Sequence, residues 1–242
     1  LTGQGLGQEH WKLGKVERRR LIRKFIRWVF FGAVTACFLL AGLVLAETFE
    51  PPVSTLMLAR WLEGEPVQRD YARLSAIAPA ALAAVISSED ERFCRHHGVD
   101  WDALHEVMSE ASEDGPSRGA STITMQTAKN LFLWPSRSAL RKGIEITFAL
   151  GLDRLWTKRR ILEVYLNIAE WGDGIFGIEA AARHYFGKSA AELDAREAAL
   201  LATALPNPVR RNPARPSALQ RRLSLHLMRR AAESGPWLDC LK

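Results

Sequence analysis

Three short runs carry side chains able to do acid–base or anion chemistry. Glu89-Asp90-Glu91-Arg92 follows the apolar stretch from Pro79 to Ile86. A carboxylate beside an apolar surface and other carboxylates has its pKa raised toward working pH, as a general base requires. A solvated helix end has the same composition. Gly119 to Asn130 reads Gly-Ala-Ser-Thr-Ile-Thr-Met-Gln-Thr-Ala-Lys-Asn, with Ser121 as a natural helix N-cap and Lys129 about two turns further on. Free first-turn amides together with that lysine suit a phosphate or diphosphate group, although an ordinary capped surface helix reads alike. Arg141-Lys142-x-x-Glu145 sets two cations within a helical turn of one carboxylate, either as a surface ion pair or as a carboxylate held beside an anionic substrate. Lys129, Arg137, Arg141 and Lys142 together could neutralise a diphosphate, the arginines through bidentate contacts.

Other chemistries find little support. His96, His97, His105 and His184 lack zinc-type spacing, and no nucleotide-binding glycine loop is present. The net charge of +6 sits entirely in residues 1–45, which hold eight Lys or Arg against Glu9 and Glu17. The remainder is neutral, which argues against nucleic acid as a partner of the folded part. Cys37, Cys94 and Cys240 cannot all pair. A Cys94–Cys240 disulfide is open to an oxidising compartment, but three scattered thiols favour unpaired cysteines.

The elements that must position these residues read as helices. Pro79 opens one that leads into Glu89. Ser138 to Leu155 forms another, and Thr157 caps a third through Asn167. A glycine-rich loop follows at Gly172, Gly174 and Gly177, then a helix ending at Gly187. Ser189–Glu192 and Asp194–Glu197 are capping boxes, Pro206 stops the next helix, and a basic amphipathic helix spans Arg215 to Glu233. Residues 106–118 read as a connection rich in acidic, Gly, Pro and Ser residues. Convincing strand alternation is scarce, so the fold class is all-α, one domain.

Ahead of it, Trp28 to Ala46 runs 19 residues without a charge. At helical rise that reaches about 28 Å, enough to cross a hydrocarbon core. Basic residues before it and Glu47 and Glu50 after it orient the N-terminus to the cytoplasm. The run exceeds a signal peptide's apolar segment, which favours an anchor over cleavage after Ala46. The resulting division is a basic tail at 1–27, a transmembrane anchor at 28–46, a linker at 47–69 and a catalytic domain at 70–242.

In order along the chain, five runs resemble the signatures of the glycosyltransferase family 51 peptidoglycan polymerases. They are Glu89-Asp90-x-x-Phe93-x-x-His96-x-Gly98, Gly119 to Asn130, Arg141-Lys142-x-x-Glu145, Ile161-Leu162-Glu163-x-Tyr165-Leu166-Asn167, and Glu179-Ala180-Ala181-Ala182-x-x-Tyr185-Phe186-Gly187-Lys188. One anchor and little chain after the last run match the monofunctional branch. The resemblance implies a lysozyme-like helical transglycosylase domain and polymerisation of lipid II into β-1,4-linked glycan at the bacterial inner membrane, with the catalytic domain periplasmic. Polyprenyl diphosphate would leave with inversion at the donor anomeric carbon. Catalytic roles fall to Glu89, as base toward the acceptor 4-hydroxyl, and to Glu145. Ser121, Thr122, Gln126, Lys129, Asn130, Arg137 and Arg141 would bind substrate. No cofactor or protein-held metal is implied, though Mg²⁺ can enter through the substrate diphosphate. Implied partners are lipid II, the nascent lipid-linked glycan, the membrane and other wall-synthesis or division proteins.

Two residues depart from the pattern. Ala120 replaces a usual glycine, and Met125 replaces the first of two usual glutamines. If that glutamine touches substrate, its loss costs about 0.5–1.5 kcal/mol and slows the enzyme. The competing readings are a lysozyme-like hydrolase or lytic transglycosylase, with paired carboxylates flanking a sugar bond, and a weakly catalytic, membrane-anchored scaffold.

Overall fold

The computed structural model describes residues 20–28, 30–32, 35, 42, 51–109, 120–136, 138–233 and 235–241. The chain divides into two compact units, Leu1–Glu50 and Pro51–Lys242. In the first, residues 20–28 and 30–32 are helical, with Phe25, Trp28, Phe30 and Phe31 exposed. Most of the expected anchor at 28–46 lies outside the described residues. No helix among those described is long and apolar enough to cross a membrane.

The second unit is built mainly from helices whose starts are written in the sequence. Ser54 caps α1 (Thr55–Leu62) by accepting from the Met57 amide at 3.1 Å. Pro79 occupies the first turn of α2 (Pro79–Glu89), where its missing N–H costs nothing. After α3 (Trp101–Ser109) come α4 (Ile123–Phe132), α5 (Ala139–Leu155) and α6 (Lys158–Ile168). Thr157 caps α6 as the sequence indicates, and Ser138, read as the start of α5, is its cap. α7 (Ile178–Phe186) ends at a left-handed Gly187. α8 (Ala195–Ala204) starts with the Asp194–Glu197 capping box, and α9 is Ala218–Ala232.

Two clusters of helices share the core. α2 packs on α8 and α9, where Ala84, Ala198, Ala199 and Ala202 are buried; small side chains let the backbones approach closely. α4 packs on α5 and α6. Trp171, Tyr165, Phe93 and Phe176 are the largest wholly buried side chains.

Three sequence expectations need correction. The unit is not purely helical: β1 (Gln68–Arg69), β2 (Glu170–Gly172) and β3 (Ile175–Phe176) form a sheet in the order β1-β3-β2. β1 runs parallel and β2 antiparallel to β3, with Gln68 opposite Ile175. Strands of two or three residues carry no usable alternation. Gly177 at φ 88 turns the chain from β3 into α7, where a Cβ would stand 3.0 Å from the Asp70 carbonyl oxygen. Helix α3 extends to Ser109, into the segment read as a connection; residues 110–119 lie outside the described residues. Finally, Cys94 and Cys240 form a disulfide with their Cα atoms 5.4 Å apart, tying the turn after α2 to the 3₁₀ helix Gly235–Leu241. Their sequence separation of 146 hid that proximity from sequence reasoning.

Candidate active site

Glu89 is the last residue of α2, where an alanine-rich buried helix delivers it half-buried to the edge of a cleft. Its Oε2 accepts from Gln126 Nε2 of α4 at 2.8 Å, and the Ser88 hydroxyl lies 3.5 Å from its Oε1. Burial raises its pKa above the ordinary carboxylate range; the Gln126 and Ser88 donors pull it down, Asp90 pushes it up and Lys129 pulls it down. A carboxylate with a raised pKa, partly exposed to a cleft, is suited to taking a proton from a hydroxyl.

The residues after Glu89 are structural. Buried Asp90 accepts from the Ile123 amide at 2.9 Å and lies 2.9–3.0 Å from His96 Nε2. Thr122, rather than Ser121, caps α4: its Oγ1 accepts from the Met125 amide at 3.0 Å and donates to the Gly98 carbonyl at 2.6 Å. The first-turn amides of Ile123 and Met125 are therefore occupied, and a carboxylate already sits at the positive end of that helix. The expectation that this helix start receives a phosphate is corrected accordingly. Gly98 has φ +81, and a Cβ there would meet the Ala149 carbonyl oxygen at 2.6 Å, so α5 passes too close for any side chain.

Glu145 stands in a different environment. It is 1% exposed in α5, with Arg141 Nη1 at 2.5 Å from Oε2 and Lys142 Nζ at 2.6 Å from Oε1. Lys142 also donates to Ser121 Oγ at 2.7 Å, which is where the Ser121 hydroxyl is used. The surface ion-pair reading is excluded by this burial. Lys129 is half-buried on α4, and its ammonium forms no hydrogen bond or ion pair among the described residues. Burial lowers its pKa, with Arg141 and Lys142 acting the same way and Glu145 and Glu89 opposing. One ammonium group thus feels both carboxylates and both neighbouring cations.

Three cavities surround these groups. One of 390 Å³ is lined by Glu89, Ser121, Thr122, Asp100, Glu106 and Arg230, among others. On the other side, cavities of 510 Å³ and 200 Å³ share Lys129 and Asn130; the larger includes Arg141 and Trp134, the smaller Gln126 and Tyr165. Of the residues singled out in the sequence, Glu89, Ser121 and Thr122 line the first cavity and Gln126, Lys129, Asn130 and Arg141 the other two; Glu145 lines none of the three, and Arg137 lies outside the described residues. Thr122 is buried with its hydroxyl committed to backbone groups, and Gln126 spends its amide on Glu89. Met125 is wholly buried in the core, so a side chain at that position does not face the cleft. The expected loss of a substrate contact at Met125 is corrected for that reason. Among the described residues no three His, Cys, Asp or Glu side chains group as metal ligands.

Sequence reasoning placed Tyr165 in the fourth run but gave it no role at the site, and its hydroxyl lies 3.3 Å from Gln126 Oε1. In sequence it is one more apolar-face residue of α6. The rest of its motif holds the fold: Glu163 accepts from Tyr71 and the Leu74 amide at 2.8 and 2.7 Å, and Asn167 brackets the Ala72 backbone. Glu179 likewise accepts from the Ala190 amide at 2.7 Å.

With this geometry in hand, the comparisons converge. The sequence model of the family described as Transglycosylase matches residues 56–231. The chain is similar to the biosynthetic peptidoglycan transglycosylase of Brucella suis biovar 1, 53% identical over 210 residues that cover 87% of this chain and 93% of that one. The protein of the same name from Rhodospirillum centenum is 52% identical over 217 residues, covering 88% and 91%. That of Rhizobium meliloti is 47% identical over 224 residues, covering 93% and 92%.

Proposed function

The chain belongs to the transglycosylase family, and from that premise we propose how its cleft polymerises the glycan strands of peptidoglycan. The protein is a peptidoglycan glycosyltransferase of cell-wall synthesis, acting at the cell envelope. The observation that carries the residue assignment is the span of α4: Gln126 donates to Glu89 Oε2 at 2.8 Å, and Lys129, three residues on, lines the same 510 Å³ cavity as Arg141. A proton acceptor and an anion-binding surface therefore adjoin across one helical turn of α4, as attack by a hydroxyl on a lipid-diphosphate sugar requires.

In this reading the acceptor, lipid II, lies on the Glu89 side. Glu89 takes the proton from the sugar 4-hydroxyl as that oxygen attacks the anomeric carbon of the donor. The C–O bond to the polyprenyl diphosphate breaks on the opposite face, so configuration inverts from α to β. Lys129, Arg141 and Arg137 neutralise the departing diphosphate, and the negative charge of Glu145 keeps Arg141 and Lys142 in place. Ser121, Thr122, Gln126 and Asn130 shape the cleft wall. The chemistry requires no resident cofactor; a Mg²⁺ ion would arrive with the substrate diphosphate. A hydrolase acting on a neutral sugar leaving group has no use for this cation cluster, which sets that alternative aside.

Trp28–Ala46 would anchor the protein in the inner membrane, with the N-terminus cytoplasmic, and the catalytic unit would face the periplasm beside other wall-synthesis or division proteins. The uncharged 19-residue run and the basic residues before it support that orientation. The test is full-length protein in detergent with labelled lipid II, run beside Glu89→Gln and read as polymer on a gel. Polymer from the wild type and none from the variant is the expected result. Equal polymer from both would remove Glu89 as the base, and fragments released from finished wall would revive the hydrolase.

A further inference from the structure

Three helices meet behind the candidate base. α2 ends in Glu89, α4 supplies Gln126 and α6 supplies Tyr165. The Tyr165 side chain is 1% exposed, and its hydroxyl lies 3.3 Å from Gln126 Oε1. The same amide donates from Nε2 to Glu89 Oε2 at 2.8 Å. An ionised carboxylate only accepts, so the amide must turn its nitrogen to Glu89 and its oxygen to the phenol. The phenol must then donate.

We infer that Tyr165 is a positioning residue for the general base, locking the Gln126 amide so that its N–H stays on Glu89. The inference rests on the reading of Glu89 as base, and it adds a residue that acts on Glu89 through another side chain. Burial, with help from Glu89 and Asp90, raises the Tyr165 pKa well above its ordinary value, so the phenol keeps its proton throughout the working range. Without the phenol, the Gln126 amide has no acceptor-side partner and turns freely. Glu89 then loses a donor that favours its charged form. Its pKa rises, and less of the base is ionised at a given pH. Asp90 and Lys129 also act on Glu89, and Glu91, Asp100, Glu106, Arg92 and Arg230 line the same cavity. All of these are untouched by a change at Tyr165, so a shift caused by that change reports the amide.

The experiment titrates the Glu89 carboxyl by NMR of the full chain labelled with ¹³C-glutamate, its signal assigned by its absence in Glu89→Gln. Wild type, Tyr165→Phe, Gln126→Ala and the double variant are compared, with kcat and KM for lipid II polymerisation measured across pH. The expected result is an upward shift of the Glu89 titration in both single variants and no further shift in the double variant. In Tyr165→Phe the acid limb of kcat moves to higher pH with KM unchanged, and kcat at neutral pH falls about five- to tenfold. A merely structural tyrosine would lower the melting temperature and leave both the titration and the limb in place; that outcome overturns the inference, as does additivity in the double variant. If Tyr165→Phe does not fold, Gln126→Ala decides, since an unmoved Glu89 titration there removes the link. The NMR titration does not depend on turnover, so failure of the polymerase reading and failure of this inference remain separate results.

Discussion

The two carboxylates of the cleft are held in opposite ways. Glu89 is half-buried at a helix end, with an amide and a hydroxyl beside it and no cation in hydrogen-bonding contact. Glu145 is fully buried in mid-helix, with a guanidinium on one oxygen and an ammonium on the other. Burial without a counter-charge leaves a group ready to accept a proton, whereas burial between cations makes a fixed charge that aims other charges. The same residue type thus serves two purposes, set by whether the sequence places Gln or Arg and Lys within reach.

The sharpest way to break this contrast is to neutralise each carboxylate in turn. Glu89→Gln should cut polymerisation by about 10²–10⁴-fold, the usual contribution of a general base. Its effect on stability should run the other way. Because the folded pKa of Glu89 is raised, its ionised form weighs against the fold at any pH above that value, and the amide should raise the melting temperature slightly. The same shift predicts that wild-type turnover falls as pH drops through a limb above the ordinary carboxylate range, which a pH–rate profile measures. Glu145→Gln should instead cost stability, about 3–5 kcal/mol, because it leaves the buried Arg141, and the half-buried Lys142 beside it, without their shared partner. Thermal melts of the two variants side by side are the measurement; equal melting shifts would erase the distinction.

Lys129 offers a finer cut, since it stands between the two. With no hydrogen-bonding partner for its ammonium among the described residues and a pKa lowered by burial, it is held protonated at a cost to the fold. The folded pKa lies below the unfolded one, so that cost is present below the folded pKa and disappears as pH rises past the unfolded value. Lys129→Met should therefore melt higher than wild type at neutral pH. It should also lose about 1.5–3 kcal/mol of donor binding, roughly 10–100-fold, if the ammonium meets the diphosphate. A variant that melts higher and binds donor normally would remove Lys129 from the anion site while leaving the contrast between Glu89 and Glu145 intact.

How far these assignments were legible depended on distance along the chain. Glu145 with Arg141 and Lys142 is a local pattern, and helical spacing alone brings the three together. The caps at Thr157 and Asp194 were equally local and stand as read. What the spacing could not reveal was the pairing of distant segments: Asp90 against the Ile123 amide, Tyr165 against Gln126, Cys94 against Cys240. Those pairings redirected two local readings. The start of α4 looked open to phosphate until Asp90 filled it, and Ser121 looked like a cap until Thr122 and Lys142 divided the work between them.

The smallest predicted effect concerns Met125, where the same lesson has a measurable consequence. On the sequence alone, a methionine in place of a usual glutamine reads as a lost substrate contact, and Met125→Gln should then raise turnover. The structure puts this side chain wholly in the core, one residue before Gln126, which alone of the two reaches toward Glu89. Successive helical positions point about 100° apart, so both cannot face the cleft. A glutamine at 125 would bury an amide in place of a flexible thioether that fills the space. Without new partners it should cost about 1–3 kcal/mol of stability and leave kcat within about twofold of wild type. Melting temperature and kcat measured together separate the outcomes: a several-fold rise in kcat at Met125→Gln would mean that the α4 face toward the cleft includes this position, and that the division between core-facing 125 and base-holding 126 is wrong.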